Sequence, residues 1–206
     1  MLIDPRSRRR SLRLPGYDYS QAGAYFITAC MHDRAMLFGE VIDGDVQLNE
    51  MGAIVQQTWD DLPTHYHGID LDAFIVMPNH VHGIIILADA SERRHAIPEI
   101  VRGFKTFSAR RVNERARIGV HVGAGFKPAV DVGAGFKPGA HVGAGFKPAL
   151  APQTSAIRWQ RGYYEHVIRN AKALDCIRAY IANNPARWAD DPENISRAVS
   201  AEAGRV

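Results

Sequence analysis

Cysteine is almost absent from this chain: 206 residues hold two, Cys30 and Cys176, too few and too far apart for a disulfide framework or a CxxC metal knuckle. Long apolar runs are missing as well. No stretch reaches the roughly eighteen residues that would span a bilayer. The N-terminus, Met-Leu-Ile-Asp-Pro, turns basic without the apolar segment a secretory signal needs. The expectation is a cytoplasmic protein without a membrane partner. Positive charge is lacking over residues 40–72, which carry eight acids and no lysine or arginine. The cations lie elsewhere. Arg6, Arg8, Arg9, Arg10 and Arg13 stand near the N-terminus against Asp4, and two further basic stretches occupy residues 99–117 and 158–178. A net charge of only +3 therefore hides a one-sided distribution, which suits a polyanion meeting one face.

At 46% apolar and 23% charged residues, the chain reads as one globular domain with a real core. Residues 24–31, Ala-Tyr-Phe-Ile-Thr-Ala-Cys-Met, are aromatic and β-branched and predict a central strand. Asp43-Gly44 between short apolar runs predicts a peripheral hairpin over 38–48. From Asn49, a plausible N-cap, Met51, Ile54, Val55, Trp59 and Leu62 recur at helical spacing until Pro63. Residues 69–77 and 80–87, joined by Pro78-Asn79, read as adjacent antiparallel strands. Pro98 opens a helix expected to run to about Arg117, and Leu174, Ile177 and Ile181 mark a last helix before Pro185. The order strand, helix, strand, strand, helix, then further helix predicts an α+β layer fold. Between the second and last helices, Val-Gly-Ala-Gly-Phe-Lys-Pro occurs three times, at 122–128, 132–138 and 142–148. Its prolines leave no room for a helix, and residues 119–150 read as a flexible inserted loop. The organisation expected is a basic arm (1–16), a domain (17–190) broken by that insertion, and a tail (191–206).

The sharpest local feature is His80-Val81-His82. On a strand, residues two apart share a face, so two imidazoles can meet at one point; two such histidines can equally be ordinary surface polarity. His65-Tyr66-His67 has the same spacing but follows Pro63, in a segment expected to be a loop. Tyr180 and Asn184, at i and i+4, share one face of the last helix. Taken alone they read as a half-buried aromatic and a helix-terminal residue before Pro185.

Three stretches in order change that reading: Phe74-Ile-Val-Met-Pro-Asn-His-Val-His82, Trp159-Gln-Arg-Gly-Tyr-Tyr-Glu-His-Val-Ile-Arg-Asn170 and Tyr180-Ile-Ala-Asn-Asn-Pro185. With them the chain resembles the single-tyrosine HUH transposases of the IS200-like superfamily, most closely the REP-associated tyrosine transposases, over roughly residues 17–190. The resemblance implies a ferredoxin-like or RRM-like antiparallel sheet with helices mainly on one face. It implies that His80, His82 and Asn184 bind a divalent ion, Mg²⁺ or Mn²⁺, the nitrogen ligands favouring Mn²⁺. It also implies that Tyr180 is the catalytic nucleophile, with Tyr163 and Tyr164 as lower-ranked rivals. The activity implied is cleavage and rejoining of single-stranded, hairpin (REP-like) DNA through a 5′-phosphotyrosine, by a nucleoid-associated monomer or homodimer. Arg8, Arg9, Arg10, Arg102, Lys105, Arg110 and Arg111 are the expected DNA contacts. Glu165 and His166 read as packing or orienting groups, and Trp159 as a core anchor. Two alternatives stand beside this one: a domesticated hairpin-binding module without catalysis, and a metal-dependent phosphodiester hydrolase.

Overall fold

A computed structural model describes residues 14–89, 95–121 and 157–194. Four strands form one sheet: β1 (Gly23–Cys30), β4 (Ile69–Val76), β5 (His80–Leu87) and β6 (Tyr164–Ile168), in the spatial order β4-β5-β1-β6 with every neighbour antiparallel. Helix α1 (Glu50–Asp60) and the single turn α2 (Leu62–His65) connect β1 to β4, and α3 (Ile97–His121) leads toward β6. This is a βαββαβ, ferredoxin-like α+β arrangement, extended by a last helix, α4 (Ala171–Asn183), and a 3-10 turn at Pro185–Asp190. No helix among the described residues is long and apolar enough to cross a membrane.

Local sequence explains most of these elements. Asp43 and Gly44 both take positive φ, 52° and 83°, and so form the tight turn joining β2 (Gly39–Ile42) to β3 (Asp45–Leu48), a separate two-stranded ribbon. Asn49 caps α1, its Oδ1 accepting from the Gly52 N–H at 3.0 Å. Pro98 is the second residue of α3, which runs to His121, four residues past the expected end. His65 closes α2 instead of lying in a loop.

One element departs from the expected order. β6 is a strand that sequence pattern did not predict, because it is a five-residue edge strand whose alternation is carried by Glu165 and His166 instead of apolar residues. Its buried positions fall on opposite faces, Glu165 on the core side and Ile168 on the other. β6 pairs with β1 from Thr28↔Tyr164 to Ala24↔Ile168, and thereby completes the sheet.

The core lies on one face. Tyr25, Ile27 and Ala29 of β1, Val81 and Ile85 of β5, Val55 and Trp59 of α1 and Ile100, Val101 and Phe104 of α3 are all buried together. Trp59 stacks on Phe74 with centroids 4.2 Å apart and meets Phe104 edge-on at 5.4 Å. Gly83 leaves room for it: a Cβ there would stand 2.6 Å from the indole. Helices α1 and α3 thus cover this face. The opposite face carries a smaller cluster, Phe26, Ile84, Ile168 and Ile181, which seats α4. The arm at residues 1–13, the repeats at 122–148 and the tail beyond 194 lie outside the described residues, as do Arg8, Arg9 and Arg10.

Candidate metal centre and tyrosine

The period of two along β5 sends Val81, Gly83 and Ile85 into the core and His80, His82 and Ile84 to the other face. Both histidines are buried, His80 fully and His82 to 3% exposure. Their Nε2 atoms are 3.0 Å apart. That is about the spacing of two adjacent ligands on an octahedral ion with ligand distances near ~2.1 Å.

Each ring is oriented through its other nitrogen. His80 Nδ1–H donates to Asn79 Oδ1 at 2.8 Å, while the Asn79 Nδ2 donates to the carbonyls of Glu193 (2.7 Å) and Arg34 (3.2 Å). The amide is therefore fixed with its oxygen toward the ring, and His80 Nε2 presents a lone pair. Thr28, directly across the ladder from His82, holds its Nδ1 at 2.8 Å. When that hydroxyl accepts from Nδ1–H, both Nε2 lone pairs face one point. Burial also keeps the rings neutral. It lowers His80 to about 4, with Arg34 contributing, and His82 to about 3, with His80 contributing.

The third donor is one that sequence reading missed. Asp191 is buried, and its carboxylate lies with both imidazoles in a cluster whose ligand atoms are all within 4.8 Å of one another, a set that can hold a metal ion. It falls one residue past the domain boundary expected at 190, and the run Ala189-Asp-Asp191 offers no spacing signal that separates it from Asp190. Asn184, the expected ligand, is buried beside it. Its Nδ2 donates to Asp191 Oδ2 at 3.3 Å, and its Oδ1 is buried with no hydrogen-bond partner. Two neutral imidazoles, a carboxylate and an unsatisfied amide oxygen fit a divalent cation.

Tyr180 joins this cluster from within the same chain. Leu174, Ile177 and Ile181 pack α4 on the sheet, and Arg178 clamps it there through two bonds to Asp72, of 2.6 and 2.8 Å. Tyr180 Oη then lies 3.3 Å from His82 Nε2. Its ring meets His82 edge-on at 5.2 Å and Phe26 at 6.0 Å, yet it remains 43% exposed. Burial and the Asp191 charge raise its pKa, while an Asn184 hydrogen bond and Arg187 act the other way. Trp188 covers His80, with centroids 6.0 Å apart; it too carried no signal in the sequence.

The remaining site residues divide. Tyr164 is exposed on β6 and edge-on to Phe26 at 6.2 Å, one ring removed from the histidines. Tyr163 packs partly buried against the core. Glu165 is buried opposite Ile27, on the core side of β6, whereas His166 is exposed opposite Phe26. Trp159 packs on Phe38 and Phe104 and donates Nε1–H to Ser108 Oγ at 3.0 Å, as an anchor does. His65 packs on Phe107, away from the pair. Of the expected DNA contacts on α3, Arg102 is exposed and Lys105 donates to the Gln160 and Gly162 carbonyls. Arg110 and Arg111 each meet an acid: Arg110 pairs with Glu114 on the surface of α3 at 2.9 Å, and Arg111 with Asp61 at 2.6 Å.

No family model matches the chain. A solved structure of a REP-associated tyrosine transposase bound to a REP hairpin is similar in fold, with a TM-score of 0.50 over 91% of this chain and 85% of that one, at 16% identity. A Haemophilus influenzae protein described as uncharacterized is 35% identical over 185 residues, covering 89% of this chain and 91% of that protein. The transposase shares the sheet and its helices at an identity that speaks to fold alone, whereas the Haemophilus influenzae protein is related along nearly its whole length, and it is to the family of that protein that this chain belongs.

Proposed function

We propose that the protein cleaves and rejoins single-stranded hairpin DNA through a covalent bond between Tyr180 and a 5′-phosphate. The observation that carries this reading is the approach of Tyr180 Oη to 3.3 Å from His82 Nε2, beside a histidine pair whose free nitrogens converge. A nucleophile and a cation-binding cluster at one point are what phosphoryl transfer requires. The similar structure, solved with a REP hairpin bound, supports hairpin DNA as the substrate class.

His80, His82 and Asp191, with the Asn184 amide oxygen, would hold a divalent ion, Mg²⁺ or Mn²⁺. When bound, that ion supplies charge stabilisation at a non-bridging oxygen of the scissile phosphate. The chain's own residues do the rest. Phe26 and His82 fix the Tyr180 ring from two sides. Its exposed hydroxyl loses a proton to water and attacks phosphorus, forming a Tyr–O–P bond as the bond to the 3′ oxygen breaks. The departing 3′ oxygen takes up a proton and leaves as a hydroxyl. Because the aryl ester keeps the phosphate activated, a 3′-hydroxyl can attack it, restore the phosphodiester and release the tyrosine with no nucleotide cofactor. Asn184 and Arg187 favour the phenolate against the burial that opposes it.

The test is incubation of the protein with end-labelled hairpin oligonucleotides and Mn²⁺, followed by a denaturing gel. A label migrating with wild-type protein and absent for Tyr180→Phe is the expected result. Cleavage without an adduct would replace this reading with the hydrolase, and tight binding without cleavage with the binding module.

A further inference from the structure

Just past the end of β1 and β5 where Cys30 pairs with His80, α3 and the segment before β6 line a groove of about 750 Å³. Its basic cations are Arg102, Lys105, Arg158 and Arg161, with His32 beside them, and no carboxylate lines it. Five arginines elsewhere, Arg34, Arg110, Arg111, Arg115 and Arg178, each form a salt bridge. Arg102, Arg158 and Arg161 are exposed and have no salt bridge among the described residues. Arg117, Arg169 and Arg187 share that condition but do not line the groove. Two acids stand close by outside the lining and are paired: Asp33 with His32 Nδ1 at 2.8 Å, and Glu99, one turn before Arg102 on α3, with His95 Nδ1 at 3.3 Å.

The groove is built, not incidental. Lys105 fastens its floor, donating to the carbonyls of Gln160 (2.9 Å) and Gly162 (2.6 Å), and Met31 bridges to Trp159. Arg158 is held by His32, its guanidinium 3.0 Å from the imidazole Nε2. The same scaffold joins the groove to the histidines: the Met31 N–H donates to the Asn79 carbonyl at 2.8 Å, and Asn79 holds His80. Three residues beyond Arg161, the chain crosses to the site face at Tyr164. A strand lying at His82 can therefore turn round this end of the sheet, over Arg161 and Arg158, and reach Arg102.

Resting on the reading of the site given above, we infer that this groove binds the phosphate backbone of the DNA on one side of the scissile bond. Arg102, Arg158 and Arg161 contact successive phosphates, and Lys105 holds the floor. Arginines that form no salt bridge among the described residues present donors to phosphates at no cost of breaking an internal ion pair.

The experiment measures binding of the full-length protein to a fluorescent hairpin oligonucleotide with a single-stranded tail, in EDTA so that no cleavage occurs, at salt from about 50 to about 200 mM. The triple variant Arg102→Ala, Arg158→Ala, Arg161→Ala should bind at least ~10-fold more weakly, with the log–log salt slope reduced by about 2, as three lost single-strand contacts require. Arg110→Ala, on the same helix but paired, should change neither. Arg161→Glu alone, which removes no packing, should reproduce the direction. Equal affinity and slope for triple variant and wild type overturn the inference, as does loss of the same size in Arg110→Ala. Displacement of the hairpin by polyglutamate as readily as by unlabelled oligonucleotide also overturns it, in favour of an acidic protein partner. Groove-dependent binding with no wild-type adduct in Mn²⁺ upholds the groove and sinks the cleavage reading. An adduct together with unchanged binding does the reverse.

Discussion

The two faces of the sheet draw on the same strands and follow opposite rules. On the core face, Trp59, Phe74 and Phe104 interlock and polar groups are few. On the other face, buried positions are given to His80, His82, Asn184 and Asp191, groups that cost free energy to bury unless they are satisfied. Odd residues of β5 serve the first face and even residues the second. One strand thus holds its two histidines in place because its other side is packed into the core. Stability and chemistry are therefore separable by parity, and substitutions can show it.

The largest contrast sets Trp59→Ala against His82→Ala. Removing the indole empties the core and should cost about 3–5 kcal/mol, read by thermal or urea denaturation. Losing His82 should abolish adduct formation, beyond the ~10–100-fold that an outer-shell partner is worth, with unfolding midpoints close to wild type. Similar unfolding losses for both would end the idea that the faces divide their labour.

Acid should strike the histidine face first. The folded-state values of His80 and His82, about 4 and about 3, lie below the usual 6.5. Below pH 6.5 the unfolded chain takes up protons that the native pair refuses, so native stability falls as pH drops from 6.5 toward 4 and is unaffected above it. The loss at pH 5 is on the order of 2 kcal/mol per histidine for the metal-free protein. Urea midpoints measured in EDTA at pH 7 and pH 5 test this, and His80→Gln should flatten the difference. A midpoint independent of pH in this window would mean the pair is not buried as a neutral dyad.

Next in size are the partners that aim the rings. Asn79→Ala and Thr28→Val remove the groups on the two Nδ1 atoms, and each should weaken Mn²⁺ binding by about 10–100-fold, measured by calorimetry. Val81→Ile, on the other parity of the same strand, should leave affinity unchanged.

Much of the fold was legible because its signals are local. Asp43-Gly44, the Asn49 cap, the apolar spacing of α1 and the His80-Val-His82 alternation each act within a few residues, and the structure follows them. β6 was not legible, since Glu165 and His166 occupy strand positions that only tertiary pairing with β1 selects. The site divides the same way. Strand period sets His80 and His82 on one face and helix spacing sets Tyr180 on α4, but it was the family resemblance, not these local patterns, that singled them out; that Tyr180 performs the chemistry remains the proposal tested above. Asp191, Trp188 and Thr28 come from a turn and a neighbouring strand, brought in only by the return of the chain. Arg110 and Arg111 look like DNA contacts in sequence because their acidic partners, Glu114 and Asp61, become visible only with a helix and its neighbour in place.

The smallest effect on stability concerns the joint between the two faces. Arg178 reaches Asp72 of β4 with two bonds, lowering the Asp72 pKa chiefly through that hydrogen bonding and raising its own. With Arg178 45% exposed, solvent screens the pair, and Arg178→Ala should lower stability only slightly. What is stabilised survives above the ordinary carboxylate range and is lost as acid protonates Asp72. Yet Arg178 stands two residues before Tyr180 and is the polar clamp that sets α4 on the sheet. Freed of it, the helix still has Leu174, Ile177 and Ile181 to seat it, but the hydroxyl is no longer held at one distance from His82. The expected outcome is an adduct rate lowered about 10-fold, since a misplacement of an ångström is costly to a positioned nucleophile, with hairpin affinity unchanged and recovery in Arg178→Lys only partial because an ammonium cannot make both bonds. An adduct rate equal to wild type would show that apolar packing alone positions the tyrosine.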